Sequence, residues 1–331
     1  MIRDSDFRPA WWLRSPHLQT IWPNRVRRGP KLRLETEHLE TPDGDFLDLR
    51  WAPAGADSAP VVVVFHGVAG SIRSAYIRGI LSALAAAGWR AVLMHFRGAS
   101  GEPNRLPRMF HSGETEDMRF LLRTLRSRYP RAPLGAIGFS LGGNVLLKYL
   151  GEDQDDALLD GAVAVSVPLV LTEGVKRFAS DRMSNLYARA LLMHLKKLVL
   201  NKESLLRAQG IDVDAACAAR SFEEFDDAVT APLHGFADAH DYYVRASSRQ
   251  YLSGIRRPTL IIQSADDPFM TPEILPAAAE LPHGVEMELC RHGGHVGFVS
   301  GAIPGLPRYW LEERIPAWLG PRLGDGGGGG G

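Results

Sequence analysis

Cysteine is nearly absent: Cys217 and Cys290 stand far apart in a chain of 331 residues. That excludes a disulfide-stapled scaffold, points to a reducing compartment and leaves no cysteine-based metal spacing. Net charge is absent as well, with Lys+Arg and Asp+Glu at 38 each. No global field therefore favours nucleic acid, and no nucleic-acid-binding signature is present. The basic stretch 24–33 reads as solvated surface. No apolar run reaches the length of a membrane span; the longest largely apolar stretch, 161–171, contains Pro168. Met1 to Pro9 is charged and lacks an apolar h-region, so nothing there reads as a secretory signal and a cytoplasmic location is expected. What remains is an ordinary globular composition, 45% hydrophobic, enough for one large α/β domain or two smaller ones. The closing glycine run from Gly324 can bury nothing and reads as a disordered tail.

Along the chain, strand and helix patterns alternate. Leu34 to Trp51 reads as a hairpin turning at Pro42-Asp43-Gly44. Pro60 to Phe65 is a continuous β-branched run, the pattern of a strand buried on both faces. A helix over Ala75 to Ala87 closed by Gly88, a strand over Arg90 to His95 and a helix over Glu114 to Arg128 follow. The rhythm repeats through Leu134 to Ile137, Gly143 to Leu150 and Ala162 to Val167, and implies a mostly parallel sheet wrapped by helices. From about Leu171 to Leu252 helical runs come without a convincing strand, which reads as an insertion covering the carboxyl ends of the strands. Strands at Thr259 to Gln263 and Val285 to Leu289, a helix near Pro272 to Ala279 and a closing helix over Tyr309 to Trp318 complete the reading. The expected division is an N-terminal arm (1–33), a first core part (34–170), a helical lid (171–252), a second core part (253–323) and the glycine tail (324–331).

The chemistry centres on Gly138-Phe139-Ser140-Leu141-Gly142, where an apolar strand meets a helical run. Small residues flanking the serine suit a sharp strand-to-helix turn that lifts Ser140 Oγ above the sheet edge and turns the Leu141 N–H to the same space. By itself the pattern is equally a glycine-rich turn with a capping serine. Context favours a nucleophile. A serine hydroxyl needs a base and an orienting acid, and loops after two later strands supply Asp266-Asp267-Pro268 and His292-Gly293-Gly294-His295. Their order along the chain is that of an α/β-hydrolase sheet. Asp267 is preferred as the acid, because Pro268 restricts its backbone; Asp266 reads as a solvated or turn-capping neighbour, and Glu173 is the alternative if the acid follows an earlier strand. His295, between Gly294 and Gly297, is preferred over His292 as the base. A metal site built on both histidines would lack an evident third ligand. After the Val61 to Phe65 strand, His66-Gly67-Val68-Ala69-Gly70 is the place for a second oxyanion donor, the Val68 N–H beside that of Leu141.

Several longer strings carry a resemblance. They are Ser15-Pro16-His17-Leu18-Gln19-Thr20, Phe96-Arg97-Gly98-Ala99-Ser100-Gly101-Glu102-Pro103-Asn104, His111-Ser112-Gly113-Glu114-Thr115-Glu116-Asp117 and Thr230-Ala231-Pro232-Leu233-His234-Gly235-Phe236. With the Ser140 elbow, Asp266-Asp267-Pro268-Phe269 and Gly293-Gly294-His295-Val296-Gly297-Phe298, they make the chain resemble the YheT-like branch of the α/β-hydrolase superfamily, which includes the abhydrolase-domain proteins 1 and 3. The resemblance implies Ser140 as nucleophile, Asp267 as orienting acid and His295 as base, without metal or cofactor. It implies carboxylic ester hydrolysis on short- to medium-chain acyl esters, a small-molecule or lipid ester being the only partner expected. An acylglycerol or phospholipid lipase and an acyltransferase are alternatives on the same triad, and a non-catalytic ligand-binding protein is the alternative outside enzymes. The polar strings 97–104 and 112–117 read as structural caps and ion pairs at the top of the sheet.

Overall fold

In a computed structural model, residues 1–53, 56 and 58–324 are described, and all of the tail expected over 324–331 except Gly324 lies outside them. The amino-terminal elements are β1 (Ile2–Asp4), α1 (Pro16–Arg25), β2 (Glu35–Glu40), β3 (Phe46–Trp51), β4 (Val61–Phe65), α2 (Ala75–Ala86) and β5 (Arg90–Met94). Then come α3 (Glu116–Arg128), β6 (Leu134–Phe139), α4 (Leu141–Asp153) and β7 (Gly161–Val165). From there the chain is helical: α5 (Leu171–Ser180), α6 (Arg182–Asn201), α7 (Glu203–Ala208), α8 (Val213–Ala218), α9 (Phe222–Phe225), a widened turn at Asp226–Thr230, α10 (Ala231–His234) and α11 (Ala239–Ala246). It closes with β8 (Thr259–Ser264), β9 (Val285–Cys290), the small ribbon β10 (Val299–Ser300) and β11 (Arg308–Tyr309), and α12 (Trp310–Leu323).

The large sheet has nine strands in the order β1-β9-β8-β7-β6-β4-β5-β3-β2, and β3 alone runs against the others. Alternation along the buried strands sends side chains to two cores. On β4, Val61, Val63 and Phe65 face α3 and α4, whereas Val62 and Val64 face α2 and α12. The helices answer with apolar stripes: Met118, Leu121, Leu122 and Leu125 on α3, and Ile77, Ile80, Leu81 and Leu84 on α2. Because β4 pairs with both β5 and β6, the strand order reverses there. The loops after β4 and β6 therefore meet at the carboxyl edge, the place where α/β sheets open a binding crevice.

One local reading changes. The helix expected over Pro272 to Ala279 is two short turns, Pro272–Ile274 and Ala278–Glu280. Pro276 has no N–H to continue a helix, and Leu275 before it is extended at φ −70°, ψ 128°. The amino-terminal arm carries structure: β1 pairs in parallel with β9 (Ile2 opposite Met287), and α1 is tied down by buried Gln19. Gln19 Nε2 donates to the carbonyls of Leu13 (2.8 Å) and Val299 (2.9 Å), while its Oε1 accepts from the Val299 N–H at 2.7 Å. The polar strings at the sheet top interlock as well. Buried Arg97 donates twice to Asp117, at 2.7 Å each, and also to Asp43 (2.8 Å) and Asp45 (3.2 Å). Among the described residues no helix is long and apolar enough to cross a membrane.

Candidate active site

Between β6 and α4 stands one residue, Ser140, at φ 52° and ψ −118°. Positive φ costs a non-glycine residue strain, so the neighbours must hold it. A Cβ at Gly138 would lie 2.5 Å from the Gly142 carbonyl oxygen, and one at Gly142 would lie 2.6 Å from that of Phe65. Glycine at both positions lets α4 start this close to the sheet. The Ser140 N–H donates to the Val165 carbonyl at 2.8 Å, and its own carbonyl accepts from the Asn144 N–H at 3.0 Å. Buried Asn144 locks α4 further: Nδ2 donates to the carbonyls of Ser112 (2.8 Å) and Ala246 (2.7 Å), and Oδ1 accepts from the Ser248 N–H at 3.0 Å.

The loops after β8 and β9 bring Asp267 and His295 to this serine. His295 Nε2 lies 3.0 Å from Ser140 Oγ, and His295 Nδ1 lies 2.8 Å from Asp267 Oδ2. Asp267 Oδ1 is taken by the Phe269 N–H at 2.8 Å, which leaves Oδ2 for the histidine. An ionised carboxylate only accepts, so the imidazole proton sits on Nδ1 and the Nε2 lone pair faces the serine hydroxyl. Asp266 does not reach His295; it accepts from the Gly294 N–H (3.0 Å) and from Ser264 Oγ (2.5 Å), and pairs with His292 at 3.1 Å. It is thus a brace between two loops. Glu173, on α5, pairs with Lys176 at 2.6 Å.

Leu141 follows the serine at the start of α4, and Val68 stands in the loop after β4. The loop after β4 passes so close that a Cβ at Gly67 would sit 3.2 Å from Ser140 Cβ. Among the described residues neither the Val68 nor the Leu141 N–H has an acceptor, and both residues line the same cavity as Ser140 and His295. His66 holds this loop: its Nε2 accepts from the Phe96 N–H at 3.2 Å, so its Nδ1 carries the proton and donates to the Gly67 carbonyl at 2.7 Å. Complete burial pushes its pKa down to about 3, which keeps that tautomer neutral. His95 acts alike, accepting from the Ile72 N–H at 3.1 Å through Nε2.

Above the serine opens a cavity of about 1260 Å³, walled by apolar side chains that include Phe178, Leu191, Phe225, Val229 and Met270. The α/β-hydrolase fold family matches residues 60–302. The chain belongs to that family. Over 318 residues it is 44% identical to YheT of Escherichia coli (strain K12), a protein with a provisional esterase name, covering 95% of this chain and 93% of the relative. It is 29% identical over 312 residues to the phospholipase ABHD3 of Bos taurus, covering 91% and 75% respectively. These likenesses place it in the YheT and ABHD3 branch. Among solved structures, the Pyrococcus furiosus esterase Pf2001 superposes with a TM-score of 0.58 at 18% identity, covering 97% of this chain and 100% of that one, a likeness of fold. What this membership carries is a hydrolase.

Other groups in this α/β-hydrolase were not legible from the motifs alone. The Phe269 ring stacks on His295 with centroids 4.1 Å apart, the His295 N–H donates to Thr20 Oγ1 at 2.9 Å, and the Val296 N–H donates to Ser166 Oγ at 3.0 Å. Thr20 and Phe269 do stand within the strings that carry the family resemblance; Ser166, at φ 52°, has no sequence signal. Deeper in the cavity wall, His111 and His234 meet with ring centroids 4.5 Å apart, and burial lowers their pKa values to about 3 and about 4. Asp226, in the widened turn, accepts from Thr230 Oγ1 (2.5 Å) and the Tyr243 hydroxyl (2.7 Å), and burial pushes its pKa up to about 7. Among the described residues one trio, His38, Asp48 and Glu102, has the atoms to hold a metal, but it does not line this cavity and Arg50 already pairs with Asp48 at 3.1 Å.

Proposed function

We propose that this hydrolase cleaves carboxylic esters of short- to medium-chain acyl groups through an acyl-serine intermediate. The observation that carries the reading is the Ser140, His295, Asp267 chain of contacts, at 3.0 and 2.8 Å, opening on an apolar cavity. His295 Nε2 takes the Ser140 proton as Oγ attacks the ester carbonyl, and Asp267 holds the ring in the tautomer that can accept it. The carbonyl oxygen becomes an oxyanion against the Val68 and Leu141 N–H groups; losing one such donor raises a barrier by roughly 3 kcal/mol. Collapse breaks the bond to the alcohol, which leaves with the proton from His295. Water then attacks the acyl-serine, giving its proton to His295, and the acid departs with Ser140 restored. The apolar walls suit the acyl chain, and the volume exceeds what an acetyl group fills.

Hydrolysis of p-nitrophenyl esters from acetate to palmitate, by the wild type and by Ser140→Ala, tests this. Serine-dependent turnover with an optimum at short to medium chains is expected. Activity retained in the variant, or none in either protein, would overturn it.

A further inference from the structure

We propose that the mouth of the cavity recognises an anionic group, phosphate or carboxylate, carried by the substrate apart from its scissile ester; this rests on the ester-hydrolase reading above. The chain is charge-neutral, yet the cavity rim is not. Arg25 on α1, Arg28 just beyond it, Arg73 in the loop before α2, Arg78 on α2 and Lys197 on α6 all line the cavity, and all but the half-buried Arg78 are exposed, at its solvent side. Among the described residues, none of these five cations has a carboxylate within ion-pair distance. Most other arginines do, and the contrast is sharpest at Arg27, between Arg25 and Arg28: it pairs with Glu312 at 2.5 Å and stacks on Tyr309.

The arginines are held together by packing. A Cβ at Gly29 would lie 3.1 Å from Ala75 Cα and 3.3 Å from Arg78 Cβ, so the segment carrying Arg25 and Arg28 runs directly against the start of α2, which carries Arg78 and follows Arg73. Among the described residues a single acid, Asp226, lines the cavity wall. It is buried and engaged by Thr230 and Tyr243, and burial pushes its pKa up to about 7. A concave rim of one sign concentrates ions of the other, and guanidinium groups match phosphate and carboxylate oxygens in geometry. A neutral ester has no use for this rim. An ester bearing phosphate or carboxylate on its alcohol portion would lay its acyl chain along the apolar wall and leave the anion among the arginines.

The test compares 1-butyrylglycerol with 1-butyrylglycerol 3-phosphate, following butyrate release at about 10 mM and about 300 mM salt, which spans Debye lengths from about 30 to about 6 Å. The phosphate ester is expected to show at least about tenfold higher kcat/KM at low salt, with the advantage shrinking at high salt. Replacing Arg25, Arg28, Arg73 and Arg78 by Gln should bring the ratio close to one. Equal kcat/KM for the two esters, or an advantage that survives the four substitutions, overturns the proposal. Calorimetric titration of both esters into the Ser140→Ala protein asks the same question without turnover. An inactive wild type thus counts against the ester-hydrolase reading, while the affinity ratio still decides this one. Sedimentation with phosphatidylglycerol vesicles, without discrimination between the soluble esters, would assign the arginines to a lipid surface and also overturn it.

Discussion

Replacing Asp267 by Asn changes one atom and should silence the site. The carboxylate divides its work: Oδ1 accepts from the Phe269 N–H at 2.8 Å and Oδ2 meets His295 Nδ1 at 2.8 Å. In the variant the amide oxygen must stay with the Phe269 N–H, because an amide NH₂ there would set donor against donor. The NH₂ group then faces His295 Nδ1 and donates to it. That drives the imidazole proton to Nε2, which lies 3.0 Å from Ser140 Oγ and can no longer accept the serine proton. A wrong tautomer of this kind costs on the order of 10⁴-fold in kcat, about 5.5 kcal/mol of barrier. The assay is p-nitrophenyl butyrate hydrolysis beside urea unfolding, with Asp266→Asn as the comparison. Asp267→Asn is expected to unfold near the wild-type midpoint while losing nearly all turnover. A loss of less than about tenfold would refute the tautomer argument, since it would put most of the barrier lowering elsewhere.

Two further substitutions probe the scaffold. Arg97→Met should destabilise the protein by about 3–5 kcal/mol, because it strands the buried carboxyl of Asp117 and removes a partner of Asp45; a shift in urea unfolding below about 1 kcal/mol would contradict the burial argument. Asp226→Asn should flatten the pH dependence of stability. The folded pKa, about 7, lies above the unfolded value of roughly 3.9. The folded state therefore holds a proton that the unfolded state has lost across that window, and stability from this group is full at low pH and lost as pH rises through about 7. The span amounts to at most about 4 kcal/mol, so wild-type urea midpoints should fall between pH 5 and pH 8 more steeply than the variant's. Parallel profiles would show that Asp226 is ionised in both states.

Much of this was legible in the sequence, for reasons that can be named. The β4 run Val61–Phe65 is buried on both faces, so its pattern is local and unbroken. Ser140, Asp267 and His295 stand in loops at strand ends, where short strings of small and polar residues mark them. Elements whose existence depends on distant partners left no such mark. Ile2–Asp4 is too short and polar to read as a strand; pairing with β9 makes it one. α1 carries Pro23 inside and has little apolar periodicity, and what fixes it is Gln19 reaching across to Val299. The basic stretch 24–33 is largely exposed, as its composition reads; that Arg25 and Arg28 also line the cavity follows from the packing of Gly29 on α2, which composition does not show. Ser166 is the extreme case, since its positive φ and its bond to Val296 follow from where β7 ends beside the histidine loop.

Ser140 Oγ is the atom that should become acylated. The most direct measurement is labelling with a fluorophosphonate followed by peptide mass spectrometry, on the wild type and on His295→Ala. One adduct is expected, on the peptide containing Ser140, with little or none in the histidine variant, because an unactivated hydroxyl does not react. An adduct on another residue, or ester hydrolysis by a protein that never labels at Ser140, would contradict it.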